Sequence, residues 1–258
     1  MNEPRIRLSI DGAIATIALA RPDKLNALNM AMVGALQQAA LDIESRPELR
    51  CAMLVGEGKV FCAGGDIAAW SDLPPIEMWR NWTRAGHRAF DALARLRLPL
   101  IAVLEGHAFG GGLELAATAD LIVAERQVTL SLPETGLGMV PGWSGTQRLV
   151  RRFGSRIVKR MALAGEALSA ADAANLGAID AVVETGAGRA AALAMAQRIA
   201  TRGPIAVQIA KQLINAAEGE EQSAAFETLA GSLSAYTADL AEGVAAFKEK
   251  RRPNFTNA

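Results

Sequence analysis

At 258 residues, with 51% apolar and 21% charged side chains, the chain holds too much core-forming material to be disordered and suits one large domain or one domain plus an appendage. Its 27 basic side chains balance 27 acidic ones, so no net field pulls it toward nucleic acid or an anionic membrane. Two cysteines, Cys51 and Cys62, exclude a disulfide framework, and with only His87 and His107 a histidine-built metal centre is disfavoured.

Met1 to Arg5 lead into an interrupted strand and not into an apolar secretory core. Ile6, Leu8 and Ile10 alternate on one strand, Asp11-Gly12 turns the chain, and Ile14, Thr16 and Ala18 alternate on a second. A loop from Arg21 to Leu28 precedes a helical pattern from Asn29 to Ile43, and Cys51 to Val55 reads as a buried strand. Helical periodicity runs from Ile76 to Leu96; its aromatic residues, like Trp70 and Met78, are expected to anchor the core more than to line a pocket. Further strands are expected at Pro99 to Val103, Leu121 to Val123 and Ile179 to Val183. The most apolar stretch, Leu98 to Leu104, falls far short of the ~20 residues that span a bilayer. A cytoplasmic protein is expected.

From Ala187 onward the chain is Ala-rich and helical, with breaks at Gly203-Pro204 and near Gly219. Strands alternate with helices before that point, which indicates an α/β core over 1–200 and a helical region over 201–258.

Three stretches carry chemistry. In Phe61-Cys62-Ala63-Gly64-Gly65-Asp66-Ile67, small residues after a strand let another molecule approach free main-chain N–H groups. In Gly106-His107-Ala108-Phe109-Gly110-Gly111-Gly112-Leu113-Glu114-Leu115, three glycines open a helix with a glutamate in its first turn, where unpaired N–H groups suit an anion or a developing oxyanion. This is neither a phosphate loop, since no Gly-Lys-Ser/Thr follows, nor a dinucleotide fingerprint, since Leu115 replaces its third glycine. The third, Leu132-Pro133-Glu134-Thr135-Gly136-Leu137-Gly138-Met139-Val140-Pro141-Gly142, sets a glutamate among apolar residues that can raise its pKa. A serine-hydrolase elbow at Gly142-Trp143-Ser144-Gly145-Thr146 fails because Thr146 stands where glycine is needed. His107 is expected to be a packed loop residue and His87 a partly exposed surface one.

Together these stretches resemble the crotonase (enoyl-CoA hydratase/isomerase) superfamily. The resemblance also covers Arg21-Pro22 to Leu28, Gly145-Thr146-Gln147-Arg148 and the terminal Ala246-Phe247-Lys248-Glu249-Lys250-Arg251, nearly the whole chain. It implies a crotonase-like spiral of ββα units with a helical C-terminal trimerisation region, assembled as a homotrimer or a dimer of trimers. Gly65 and Gly111 occupy the oxyanion-donor positions. Glu114 and Glu134 match the two catalytic carboxylates of the hydratases, and Gly142 would add a backbone donor near the attacking water. The resemblance places CoA along Lys24, Leu25, Ala63, Gly65, Asp66, Ile67, Ala68 and Gly111, with Phe247 and Lys250 at its nucleotide end. CoA belongs to the substrate, and neither a separate cofactor nor a metal is implied.

Two departures stand out: Trp143 and Ser144 replace residues that are small in many hydratases, and Ala68 stands where some carry a lysine. A ring at Trp143 would shorten or redirect the acyl pocket, or pack outward. The implied activity is hydration of a trans-2-enoyl-CoA. The alternatives are another acyl-CoA reaction of the family (Δ3,Δ2-isomerisation or hydroxyacyl-CoA dehydration) or a non-catalytic acyl-CoA- or RNA-binding relative. The last would draw on basic clusters such as Arg151-Arg152 and Arg156 to Arg160.

Overall fold

The computed structural model describes residues 5–220 and 222–256, so the N-terminal reading of Met1 to Pro4 lies outside the described residues. Strands β1 (Ile6–Asp11) and β2 (Ile14–Leu19) pair antiparallel from Ile6↔Leu19 to Asp11↔Ile14. The turn is Gly12-Ala13, one residue later than expected, with Gly12 at φ +54° in its first position. The alternation in β2 also differs from expectation. This strand lies inside the sheet, so Ala15, Ile17 and Leu19 join the main core while Ile14 and Ala18 face a second apolar cluster. Helix α1 (Met30–Glu44) is capped by Asn29, whose Oδ1 accepts the Met32 N–H at 3.0 Å, and it buries Met32, Val33, Leu36, Ala39, Ala40 and Ile43 at helical spacing.

From there the chain winds as a spiral. One turn comprises β3 (Cys51–Gly56), β4 (Val60–Cys62), the short helices α2 (Ile67–Trp70) and α3 (Pro75–Glu77), a π-helical segment Met78–Thr83, and α4 (Arg84–Ala94). The next is β5 (Leu100–Leu104), β6 (His107–Phe109) and α5 (Gly111–Ala116), followed by β7 (Leu121–Glu125), β8 (Thr129–Ser131), α6 (Gly145–Phe153) and α7 (Ser155–Ala164). Then come β9 (Leu168–Ser169), α8 (Ala170–Asn175), β10 (Ala181–Val183) and α9 (Gly188–Ala200). β3, β5 and β7 join β1, β2 and β10 in a six-stranded sheet, β1-β2-β3-β5-β7-β10; β4, β6 and β8 join β9 in a four-stranded sheet, β4-β6-β8-β9. This is the ββα spiral the resemblance implies. Every residue of β3 and β5 is buried, as parallel strands covered on both faces require. The single helix expected over 76–96 is interrupted by the π segment, a local widening that recurs at functional sites.

The loop before α1 is held by Asn26, fully buried at φ +55°. Its Nδ2 donates to the Glu57 and Val60 carbonyls at 2.8 Å each, and its Oδ1 accepts the Arg21 N–H at 2.9 Å. Asn26→Ala leaves these buried groups without partners, at ~1–3 kcal/mol each. The variant is expected to lose ~3 kcal/mol or more, read as a lower urea midpoint.

The chain divides into two compact units, Met1–Gln208 and Ile209–Ala258. The C-terminal helices are α10 (Pro204–Ala217), α11 (Gln222–Ser234) and α12 (Ala238–Glu249). A break between α11 and α12 was not expected; Thr237 makes it by capping α12, its hydroxyl accepting the Leu240 N–H at 3.1 Å. Among the described residues no helix is long and apolar enough to cross a membrane.

Candidate active site

Two glycine turns meet at one cavity of about 130 Å³ in the first unit. Gly65 forms a parallel bridge with Leu28 in which the Leu28 N–H donates to the Gly64 carbonyl and the Asp66 N–H donates to the Leu28 carbonyl. That pattern leaves the Gly65 N–H directed away from Leu28. Gly111 is the first residue of α5, so its N–H has no acceptor within the helix. The Gly65 nitrogen lies 3.4 Å from where a Cβ on Gly111 would sit, so the two turns are in contact. Both glycines line the cavity.

Glu114 stands in the first turn of α5 and is 2% exposed. Its Oε1 accepts the Trp143 and Gly145 N–H groups, each at 2.9 Å, and its Oε2 accepts the Gly142 N–H at 3.3 Å. Burial raises its pKa, while the three N–H donors and the nearby Arg148 guanidinium pull it back toward the anion. A Cβ at Gly145 would overlap the Glu114 side chain, so only glycine admits this arrangement. The Gly142 N–H, expected beside a water, is thus engaged by Glu114 itself.

Glu134 opens a 3₁₀ turn, Glu134–Leu137, tied down by the Thr135 hydroxyl, which donates to the Ala162 carbonyl at 2.5 Å. Both carboxyl oxygens are buried, and neither accepts a hydrogen bond from another described residue. Burial pushes its pKa up to about 7; the Glu114 charge adds to the rise and its own main-chain N–H opposes it. Burial thus wins at both carboxyls and raises both pKa values, but Glu134, which carries its proton to near neutrality, lacks the main-chain donors from other residues that oppose the rise at Glu114. Gly110, at φ +52°, lies against Glu134, and a Cβ there would come within 2.8 Å of Oε1. Gly110→Ala is expected to strain this left-handed backbone as well as displace the carboxyl, and to lower kcat by at least ~10²-fold, the usual cost of a ~1 Å misplacement, in hydration assays.

The profile of the enoyl-CoA hydratase/isomerase family matches residues 9–258. The chain belongs to this family. It is 34% identical over 255 residues to the short-chain-enoyl-CoA hydratase of Clostridium acetobutylicum, covering 98% of this chain and 97% of the relative. Among solved structures it is similar to enoyl-CoA hydratase subunit I of Geobacillus kaustophilus, with TM-score 0.80, 34% identity and 98% of each chain covered. It is also similar to DspI of Pseudomonas aeruginosa, with TM-score 0.82, 32% identity, and 98% of this chain and 97% of that one covered. The protein is an enzyme of the enoyl-CoA hydratase kind, with the crotonase fold.

In this crotonase-fold enzyme, Ala63, Gly65, Ile67, Gly111, Glu114, Glu134 and Gly142 all line the one cavity. Lys24 and Leu25 are exposed on the neighbouring loop, whose Leu25 carbonyl accepts the Ala63 N–H at 3.0 Å. Asp66 caps α2, accepting the Ala68 N–H at 3.2 Å, and pairs with Arg21 at 2.6 Å; its carboxylate is turned to the protein. Ala68 is exposed at the start of α2. Phe247, 86% exposed, and Lys250, the left-handed cap of α12, belong to the second unit.

Trp143 packs inward, not outward, and lines the cavity with Trp70, Met78 and Trp82. Trp82 is both core and lining, whereas Trp79 is exposed with the Arg84 guanidinium over its ring, against the expectation that it anchors the core. His107 lies on β6, not in a loop, and its Nδ1 accepts the Thr129 N–H at 3.0 Å. His87 is half-buried, and its Nδ1 meets the Ser144 hydroxyl, fixing the left-handed residue between two of the Glu114 donors. No motif signals that pair: its partners stand on separate elements, and only Ser144 at positive φ marks the site. Of the basic clusters, Arg152 is occupied by the Ala119, Asp120 and Ala178 carbonyls, and Arg160 pairs with Glu166.

Proposed function

We propose that the enzyme adds water across the 2,3 double bond of a trans-2-enoyl-CoA to give the 3-hydroxyacyl-CoA. The observation that carries this reading is the pair of carboxyls at one cavity in different environments: Glu114 held by three N–H donors from other residues, Glu134 by none from another described residue. The thioester oxygen sits between the Gly65 and Gly111 N–H groups, which stabilise the enolate charge; one such donor is typically worth ~2.7–4 kcal/mol of barrier. Glu114 is the base. Its Oε2 accepts only one long bond, which leaves a lone pair to orient water and take its proton as the oxygen bonds to C3. Glu134 delivers its proton to C2. CoA follows Ala63 and Ile67 past Lys24 and Leu25 toward Phe247 and Lys250, and the exposed Leu233 of α11 and Tyr236 of the turn before α12 suit a trimer.

Purified enzyme with crotonyl-CoA should bleach the conjugated thioester absorbance. A panel in which no 2-enoyl-CoA is hydrated while a 3-enoyl-CoA is isomerised overturns the assignment.

The pH profile carries a sign. Hydration needs protonated Glu134, so kcat/KM is expected to fall as pH rises through about 7. Dehydration of the product uses the same pair with the proton moved (Glu134 ionised, Glu114 protonated), and because the overall reaction neither takes up nor releases a proton, its kcat/KM should fall in parallel. A kcat/KM for hydration that stays flat through this range would remove Glu134 from the proton transfer to C2.

A further inference from the structure

We infer that the Trp143 indole is the end wall of the acyl pocket and confines the enzyme to short acyl chains; this rests on the hydratase reading above. Trp143 touches both ends of the reacting segment. Its main-chain N–H holds Glu114, which faces the carbon that receives water, and its ring lies 3.2 Å from the Cβ position of Gly111, an oxyanion donor. An acyl chain laid between those points runs onto the indole. The ring cannot yield, for several reasons. It is 3% exposed and sits 5.0 Å from the Trp82 ring and edge-on to Phe90 at 5.2 Å. Its Nε1–H donates to the Trp82 carbonyl at 3.3 Å, at the π-helical segment. It also occupies a slot that exists only because residue 86 is glycine, since a Cβ on Gly86 would overlap the indole. Trp82 seals the other side, 3.0 Å from the Cβ position of Gly65. The space left is about 130 Å³, below the ~300 Å³ at which pockets for larger ligands begin.

The inference separates from the chemistry because the Trp143 N–H is main chain and survives replacement of the ring. Trp143→Leu keeps an apolar side chain in the core, and Trp143→Ala removes the wall altogether; thermal melts establish that each is folded. Two readouts apply. In hydration assays, wild-type kcat/KM is expected to drop at least tenfold from crotonyl-CoA to trans-2-decenoyl-CoA, and the C10/C4 ratio to rise at least tenfold in either folded variant. In calorimetric titrations with saturated butyryl-CoA and decanoyl-CoA, where no chemistry occurs, wild type should bind the longer chain no more tightly. The folded variants should bind it at least tenfold more tightly than the shorter one. A wild type that handles C10 as well as C4, or folded variants with unchanged ratios, overturns the end wall; the chain then leaves past the exposed Leu137 and Val140. Failure to hydrate any enoyl-CoA, with the binding ratios shifting as stated, overturns the hydratase reading and leaves the wall standing.

Discussion

Glu134→Gln is expected to lower kcat for crotonyl-CoA hydration by ~10³-fold, within the ~10²–10⁴ range for removal of a positioned acid or base. Glutamine preserves the shape and can still occupy the cavity, so KM should change little while the proton for C2 is gone. The same substitution should stabilise the protein in alkaline buffer. Glu134 has a folded pKa of about 7, above the ordinary carboxyl value, so the native state holds a proton that the unfolded chain releases. Stability is thus lost as pH rises from the unfolded value through about 7, and the variant, which has no such titration, escapes the loss. At pH 8 its Tm should exceed that of wild type by a few degrees, with each kcal/mol moving Tm by ~2–4 °C in a chain of this size. Near pH 4 the two should melt together. A variant that is inactive and also less stable at pH 8 would show that the carboxyl serves the fold and not the reaction.

Glu114→Gln is expected to be as severe, for another reason. Three main-chain N–H groups converge on this carboxylate, two on Oε1 and one on Oε2. An amide in either orientation turns its NH₂ toward a donor, so the turn from Gly142 to Gly145 must shift. Loss of the base together with that shift should reduce kcat/KM by ~10³–10⁴-fold. Unlike Glu134→Gln, the change should also lower Tm at every pH, because it leaves buried N–H groups without an acceptor at ~1–3 kcal/mol each. Opposite signs of the stability effect in alkaline buffer therefore separate the two glutamates. Equal effects on Tm there would contradict the different environments described for them.

The sequence showed the long strands and α1 through their apolar patterning, but not the second sheet. Strands β4, β6, β8 and β9 have two or three residues each, too few for an alternation to register. The spiral was legible only through the glycine and glutamate motifs and the family they resemble. Those motifs also named the cavity residues Gly65, Gly111, Glu114 and Glu134, because each is local to one turn. What depended on distant partners stayed hidden. The direction of Trp143, in the loop before α6, is decided by Gly86 on α4, and the role of Gly142 by Glu114 on α5. The pairing of Asp66 with Arg21, 45 residues away in the chain, is likewise signalled by no local motif. The raised pKa of Glu134 follows from burial, which composition does not encode.

The central claim is that main-chain donors from the turns of Gly65 and Gly111 grip one thioester oxygen. It is tested most directly by rapid-mixing, isotope-edited infrared spectroscopy of crotonyl-CoA, labelled with ¹³C at the thioester carbonyl and bound to the Glu134→Gln variant, whose ~10³-fold slower turnover leaves time to record the bound substrate. The carbonyl band should move to lower frequency than in water, because two fixed N–H groups polarise the bond more than mobile solvent does. A band at its aqueous position, with the ligand fully bound, would contradict the convergence of the two turns on the acyl oxygen.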